Sequence, residues 1–349
     1  MKQVSIPVKP ENKLNIKASE DLSVEGTNQV LLTAIVRNSD SFRYTETSGR
    51  SEIKTTSDCR LQIPATMTVT IEKVGGNASF ANLIGRVIIG KVGGDLLLQN
   101  LGGASIETVG GDLSLKDTAD GLEVSRVGGD LVGSDIRSIS SRTVGGDVLL
   151  QQVSGSVNVV AGGDVELQIS ESTIPAISIT AGGDIRLVVL PDARAEVVMS
   201  SRGGEISVHA GDQEGKWETD HFSIVLGEGG NGVSLTAGGD ITITDQLSTE
   251  NDFEEIFENS ADNWKNFGAD IENQIRENLG GAIENIHWAT RNANEIGERA
   301  RRKVDNVFRR TESQGVVIDQ TGVNVNRNGK HVGIRFGDTI PAQDAPKKG

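Results

Sequence analysis

Gly-Gly followed by Asp, Asn or Glu begins at Gly75, Gly93, Gly110, Gly128, Gly145, Gly162, Gly182, Gly203 and Gly238. The steps are 18, 17, 18, 17, 17, 20, 21 and 35; the first five average 17.4 residues, and the last is about two periods. A fixed period of this length marks a stacked repeat, because one unit cannot bury its own apolar face and must rely on its neighbours. Double glycine at this frequency excludes a helical repeat, since each Gly costs about 1 kcal/mol relative to Ala inside a helix. Of the 43 glycines, 31 lie between Val74 and Gln246, so the glycine excess belongs to the repeat. Glycine does not recur every third residue, which excludes collagen. A hydrophobic fraction of 36% is too aliphatic for wholesale disorder.

Within each period the pattern alternates. Leu96 and Leu98, Leu113 and Leu115, Val148 and Leu150, Val165 and Leu167, Ile185 and Leu187, and Ile241 and Ile243 each place two aliphatic side chains on one face of a strand. A weaker strand fills the other half of the period, as in GGASIET, DGLEVSR, SGSVNVV and AISITA. Each coil therefore holds two short strands and two corners. Glycine is expected at the corners, for positive φ or for close approach to the next coil. Coils then stack about 4.8 Å apart. The steps of 20 and 21 read as small corner insertions, SESTIP and LPDARAE. Asp212 to Gly232, with Trp217 and Phe222, reads as a longer loop or hairpin.

The predicted fold is all-β: a parallel β-helix, or β-solenoid, of about 17-residue coils over 73–247, followed by a long amphipathic helical segment and a short β segment. Residues 1–72 lack the double glycine but read as strands, and are expected to form the first coils and the cap that an open stack end requires. From Glu250 glycine thins and the period changes. Apolar residues from Phe253 to Val307 follow at 3.6-residue intervals, which predicts an amphipathic helix or helical hairpin over 250–311, interrupted at Gly280 and Gly281. Residues 315–340 read as short strands with a turn at Asn328-Gly329, and 341–349 as a disordered tail.

The formal charge of −15 excludes non-specific nucleic-acid binding, which needs Lys and Arg on phosphates. Cys59 is the one cysteine, so no internal disulfide exists and nothing requires an oxidising compartment. MKQVSIPVKPENKLN has no apolar h-region, and no stretch approaches the ~20 apolar residues of a membrane span. These features predict a cytoplasmic location.

The acids Asp95, Asp112, Asp130, Asp147, Asp164, Asp184, Glu205 and Asp240 should stack along one edge. Neighbours at coil spacing repel by about 0.9 kcal/mol even in water. Two readings fit: each carboxylate caps backbone N–H groups at its own corner, or the ladder binds cations between coils. The capping reading is preferred, and no metal site is assigned. Gly227, Gly229 and Gly232 fit GxGxxG, and Gly85 to Lys91 fits GxxxxGK, but neither precedes a helix. His209, His221, His287 and His331 form no close ligand pair, and Cys59 reads as a small buried residue. No catalytic, cofactor-binding or metal-ligating residue is assigned, and the chain reads as a non-enzyme.

The run VGGDLLLQNLGGASIETVGGDLSLKDTADGLEVSRVGGDL resembles the putative-adhesin repeat family, a bacterial family of unknown function with a right-handed parallel β-helix. The resemblance covers about residues 14 to 247 and implies a non-enzymatic surface or scaffold role. The expected function is a scaffold or interaction protein that presents a rigid repeat surface to a protein partner or to another copy of itself. One alternative is a self-assembling structural protein, similar in logic to bactofilins, in which coil ends stack. Another is peripheral membrane contact through residues 252–310, using Trp264, Trp288 and the basic helix end. No nucleic acid, cofactor or small-molecule substrate is expected.

Overall fold

The computed structural model describes residues 2–36, 39–47 and 49–246, together with the strands 316–319, 322–327 and 330–335. The helix read over 250–311 and the tail 341–349 lie outside the described residues. The chain divides into two compact units, Met1–Asn278 and Leu279–Gly349.

In the first unit, alternation builds the fold coil by coil. Strand Val87–Val92 buries Val87, Ile89 and Val92 and turns Ile88 and Lys91 outward. Gly93-Gly94-Asp95 turns the chain, and strand Leu96–Leu101 buries Leu96, Leu98 and Leu101. Each coil thus sends one strand into each of two sheets, with aliphatic side chains between them. Equivalent residues stack in columns, as in Phe80, Leu98 and Leu115. Each Val, Leu or Ile fully buried in this way contributes about 1.5–3 kcal/mol over exposure. One coil is thinner inside: Gly133 and Ser141 occupy columns where the neighbouring coils place Leu115 and Leu150, and Val124 and Val159.

The first sheet runs, in spatial order, through Phe42–Thr47, Arg50–Thr55, Lys13–Ala18, Thr68–Val74, Val87–Val92 and Ala104–Val109. It continues through the second halves of Leu113–Val127 and Leu131–Val144, then Val157–Ala161, Ile177–Ala181, Gly232–Ala237, Ala195–Ser201 and His221–Leu226. The second sheet begins with Lys2–Pro7, Leu31–Val36, Cys59–Pro64, Leu22–Thr27, Ala78–Leu83 and Leu96–Leu101. The first halves of Leu113–Val127 and Leu131–Val144 follow, then Val148–Val153, Val165–Ile169, Ile185–Val188, Ile241–Thr244, Ile206–Ala210 and Gln213–Trp217. Pairing is parallel between coils and antiparallel at the ends of the stack, where Leu31–Val36 pairs antiparallel with both of its neighbours.

Stack order and chain order differ at both ends. The coil 13–27 lies between 50–64 and 68–83. The coil 232–244 lies between 177–188 and 195–210. The segment read as a longer loop or hairpin at Asp212 to Gly232 does begin as a hairpin, Ile206–Ala210 with Gln213–Trp217, and it caps both sheets where it was expected to project: Gln213–Trp217 and His221–Leu226 add antiparallel edge strands. Trp217 and Phe222 stack at 4.0 Å between ring centroids across this end. At the other end Phe42 and Tyr44 pack partly buried against the core.

The coils also change type along the stack. The first coils alternate strictly, as in Lys13–Ala18, whereas from Thr68 to Val153 the strands bury a residue, skip one, bury one, then skip two, as in Val148–Val153. From Val157 the second skipped residue is gone and the pattern is strict alternation, as in Val165–Ile169. The register shifts at this junction record the missing residue.

The second unit contains a three-stranded antiparallel sheet, Val316–Asp319, Gly322–Arg327 and Lys330–Arg335.

Candidate functional site

The predicted acids do stack, but their caps cross between coils. Asp95 Oδ1 accepts the backbone N–H of Asp112 at 3.0 Å, and Asp112 Oδ1 accepts that of Asp130 at 2.9 Å. The chain of bonds runs from Asp21 through Asn77, Asp95, Asp112, Asp130, Asp147, Asp164, Asp184 and Asp240 to the N–H of Glu205. Each acid therefore caps the next coil's corner and not its own. The reason is the stacking itself, which places one turn's free N–H above the previous turn's side chain. Glu205 ends the series, and its carboxylate takes Lys216 Nζ at 2.8 Å. Asp21 begins it, a rung that the missing double glycine concealed.

The paired glycines serve close approach. A Cβ on Gly110 would overlap the carbonyl oxygen of Gly93, and one on Gly111 would overlap Oδ1 of Asp95. The expectation of positive φ at these corners holds only for Gly203. There Arg202-Gly203-Gly204-Glu205 carries one residue more than the other corners, and Arg202 N–H bonds Ala237 O where Gly238 N–H bonds Ala181 O.

Positive φ appears instead at a second ladder. Asn82, Asn100, Asp117, Asp135 and Gln152 have φ of 59°, 54°, 55°, 55° and 54°. Asn100 Nδ2 donates to Asn82 Oδ1 at 2.9 Å. Asn and Asp tolerate this conformation better than other side chains, because their short polar groups bond locally. The signal was available: each of the five lies five residues after a corner Asn or Asp, from Asn77 to Asp147. Burial pushes the Asp135 carboxyl above its ordinary pKa, and the neighbouring Asp117 charge pushes it the same way. A shallow, open depression beside this row is lined by Thr118, Asp135, Arg137, Gln152, Ser154 and Glu171. No cysteine or histidine lines it.

The outer face of the first sheet divides in two. Toward the N-terminal end it carries cations. Toward the other end it carries Asn158, Val160, Ser178, Thr180, Ser234, Thr236, Val198 and Ser223, with Glu196 and His221 the titratable side chains on the same face. Val160, Val198 and Val225 on this part are 40%, 57% and 53% exposed.

The remaining sequence candidates are placed apart. Cys59 is buried, and desolvation, with a smaller push from Asp58, raises its thiol pKa to about 12. A thiol held neutral in this way is a packing group. His209 faces Glu214 at 3.8 Å, while His221 lies on another sheet edge. Gly227 and Gly229 take positive φ between an edge strand and the inserted coil. Among the described residues, no group of three His, Cys, Asp or Glu side chains could hold a metal ion, and no helix is long and apolar enough to cross a membrane.

The sequence matches no family model, and no curated protein matches it. Two solved structures are similar to it. One is described as a putative cell adhesion protein from Clostridium sporogenes, 13% identical, TM-score 0.18, with 70% of this chain and 98% of that chain covered. The other is described as a putative adhesin from Bacteroides fragilis, 9% identical, TM-score 0.27, with 69% of this chain and 95% of that one covered. At these scores neither overlay defines a role for the chain.

Proposed function

We propose that this chain is a non-enzymatic β-solenoid that works in the cytoplasm as a rigid interaction surface for a protein partner. The observation that carries the reading is the charge-poor part of the first sheet, where Glu196 is the one carboxylate. On a chain of formal charge −15, strands 157–161, 177–181, 232–237, 195–201 and 221–226 turn Ser, Thr, Asn and Val to solvent beside that carboxylate and the one imidazole, His221. Depletion of charge with exposed apolar side chains is the composition of an interface core. Both sheets below it are locked by parallel pairing and the acid ladder, so the surface is held in one shape before a partner arrives, which reduces the entropy cost of binding. End-to-end stacking finds less support, because three of the four outermost strands run against their ladders; Lys2–Pro7, reached through the reversed strand Leu31–Val36, is the one that runs with its ladder.

The test is a paired affinity capture from the native host. Wild type and Val198→Glu/Val225→Glu, with matched thermal unfolding, should differ in one captured protein. Recapture of every protein by the variant would sink this surface as the site. A hydrolase or lyase activity lost on changing a single polar residue would overturn the non-enzymatic reading.

A further inference from the structure

Most of the outward cations on the N-terminal half of the first sheet fall in one register row, while Lys13 and Arg50 pair in another, and the acids Glu72 and Glu123 share the face. Lys54 pairs with Lys17, Lys17 with Lys73, Lys73 with Lys91, Lys91 with Thr108, and Thr108 with Arg126. Five cations thus stand on six successive strands at a pitch of about 4.8 Å. Each row residue lies just before a corner, as Lys91 precedes Gly93. The corner acids run alongside with the same pitch. Lys17 and Lys54 have exposed partners in Glu72 and Glu52, whereas Lys73, Lys91 and Arg126 have no ion-pair partner among the described residues. In the other half of the sheet the equivalent positions are Val160, Thr180 and Thr236, so the acids Asp164, Asp184 and Asp240 stand without a cation row beside them.

We infer that two copies of this chain associate side by side, antiparallel along their Gly-Gly edges, through these rows. The first sheet has thirteen strands, with the second half of Leu113–Val127 at its centre. A two-fold axis through that strand, placed between the cation row and the acid row, reverses the order of coils. Two strands from the centre, Lys91 meets the corner of Asp164; three strands away, Lys73 meets Asp184; four strands away, Lys17 meets Asp240. Symmetry makes each pair twice. The axis sets each cation row over the other copy's acids, while Asp95 faces Val160 and Asp112 faces Thr143 beside Arg142. Each acid spends one oxygen on the next coil and keeps the second for the partner. The contact is self-complementary, as a closed dimer requires. It is narrow and made of exposed charges, so it is weak and sensitive to salt. The row Ser178, Ser234, Val198 and Ser223 stays free for the partner proposed above.

Sedimentation equilibrium of the full chain tests this at about 0.02 M and about 0.5 M ionic strength. The expected result is dimer at low salt and monomer at high salt. Lys17→Glu/Lys73→Glu/Lys91→Glu should weaken dimerisation by about tenfold or more. Asp164→Asn/Asp184→Asn/Asp240→Asn should do the same without loss of fold, because Asn77 already caps a corner with an amide oxygen. Mixing the two variants restores one full set of pairs, so a heterodimer should form where neither variant dimerises alone. A wild-type monomer at low salt, a dimer indifferent to salt, or no heterodimer between folded variants would overturn the inference.

Discussion

The two corners of a coil make the same reversal by opposite means. At the Gly-Gly corner the backbone keeps ordinary φ and touches the coil before it, so no side chain fits. At the opposite corner Asn82, Asn100, Asp117, Asp135 and Gln152 keep their side chains and accept a left-handed backbone. The first corner is fixed by contact between coils, the second by the conformation of single residues. Glycine abundance in this chain therefore measures closeness between coils and says little about turning freedom.

Substitutions should separate the two kinds of corner. Gly128→Ala places a Cβ into Gly110 O and should cost at least about 3 kcal/mol, read as a lower denaturant midpoint. A near-neutral result would mean that the coils can slide apart. Asp130→Ala leaves the Asp147 N–H without its cap and should cost about 1–3 kcal/mol, whereas Asp130→Asn should stay within about 0.5 kcal/mol. Equal costs for the two would show that charge, not the cap, is what the corner needs. At the other corner, Asn100→Val should cost about 1–2 kcal/mol and Asn100→Gly much less, because only the left-handed backbone is at stake.

The smallest effect tests charge in the left-handed row. The folded protein binds a proton at Asp135 more tightly than the unfolded chain does, so ionisation there subtracts stability as pH rises through the carboxylate range. Asp135→Asn should gain about 0.2–1 kcal/mol at pH 7 and nothing at a pH where the acid is protonated in both states. Thermal unfolding across that range checks the sign; a gain that persists in acid would exclude a charge effect.

The corner acids and the inward aliphatics were legible because both recur at constant spacing. Stack order was not. Lys13–Ala18 and Arg50–Thr55 each offer a similar alternating strand, and nothing local states which pairs with Thr68–Val74. The one hint lies in Ser51 and Thr55, which turn inward where Lys13–Ala18 has Leu14 and Ala18, as suits a coil covered by an antiparallel strand. The left-handed ladder was missed because Asn, Asp and Gln vary in type while sharing a position. The direction of the acid caps needed the third dimension, since the accepted N–H lies 17 to 56 residues away in sequence.

The exchanged coils at the ends set a timetable. A nascent solenoid can add coils in order as they leave the ribosome, each templated by the last. Here Ala195–Ser201 emerges while its neighbour-to-be, Gly232–Ala237, is still unmade, and the edge of Ile177–Ala181 stands open. Pairing those two strands directly would close the stack one coil short and shut the late segment out. Refolding should therefore carry a slow phase, in which this premature pairing is undone, that disappears in a chain shortened before Ala195. At this end of the stack, as at the other, the order of synthesis and the order of stacking part, and the chain meets a pairing choice that its own sequence order does not resolve.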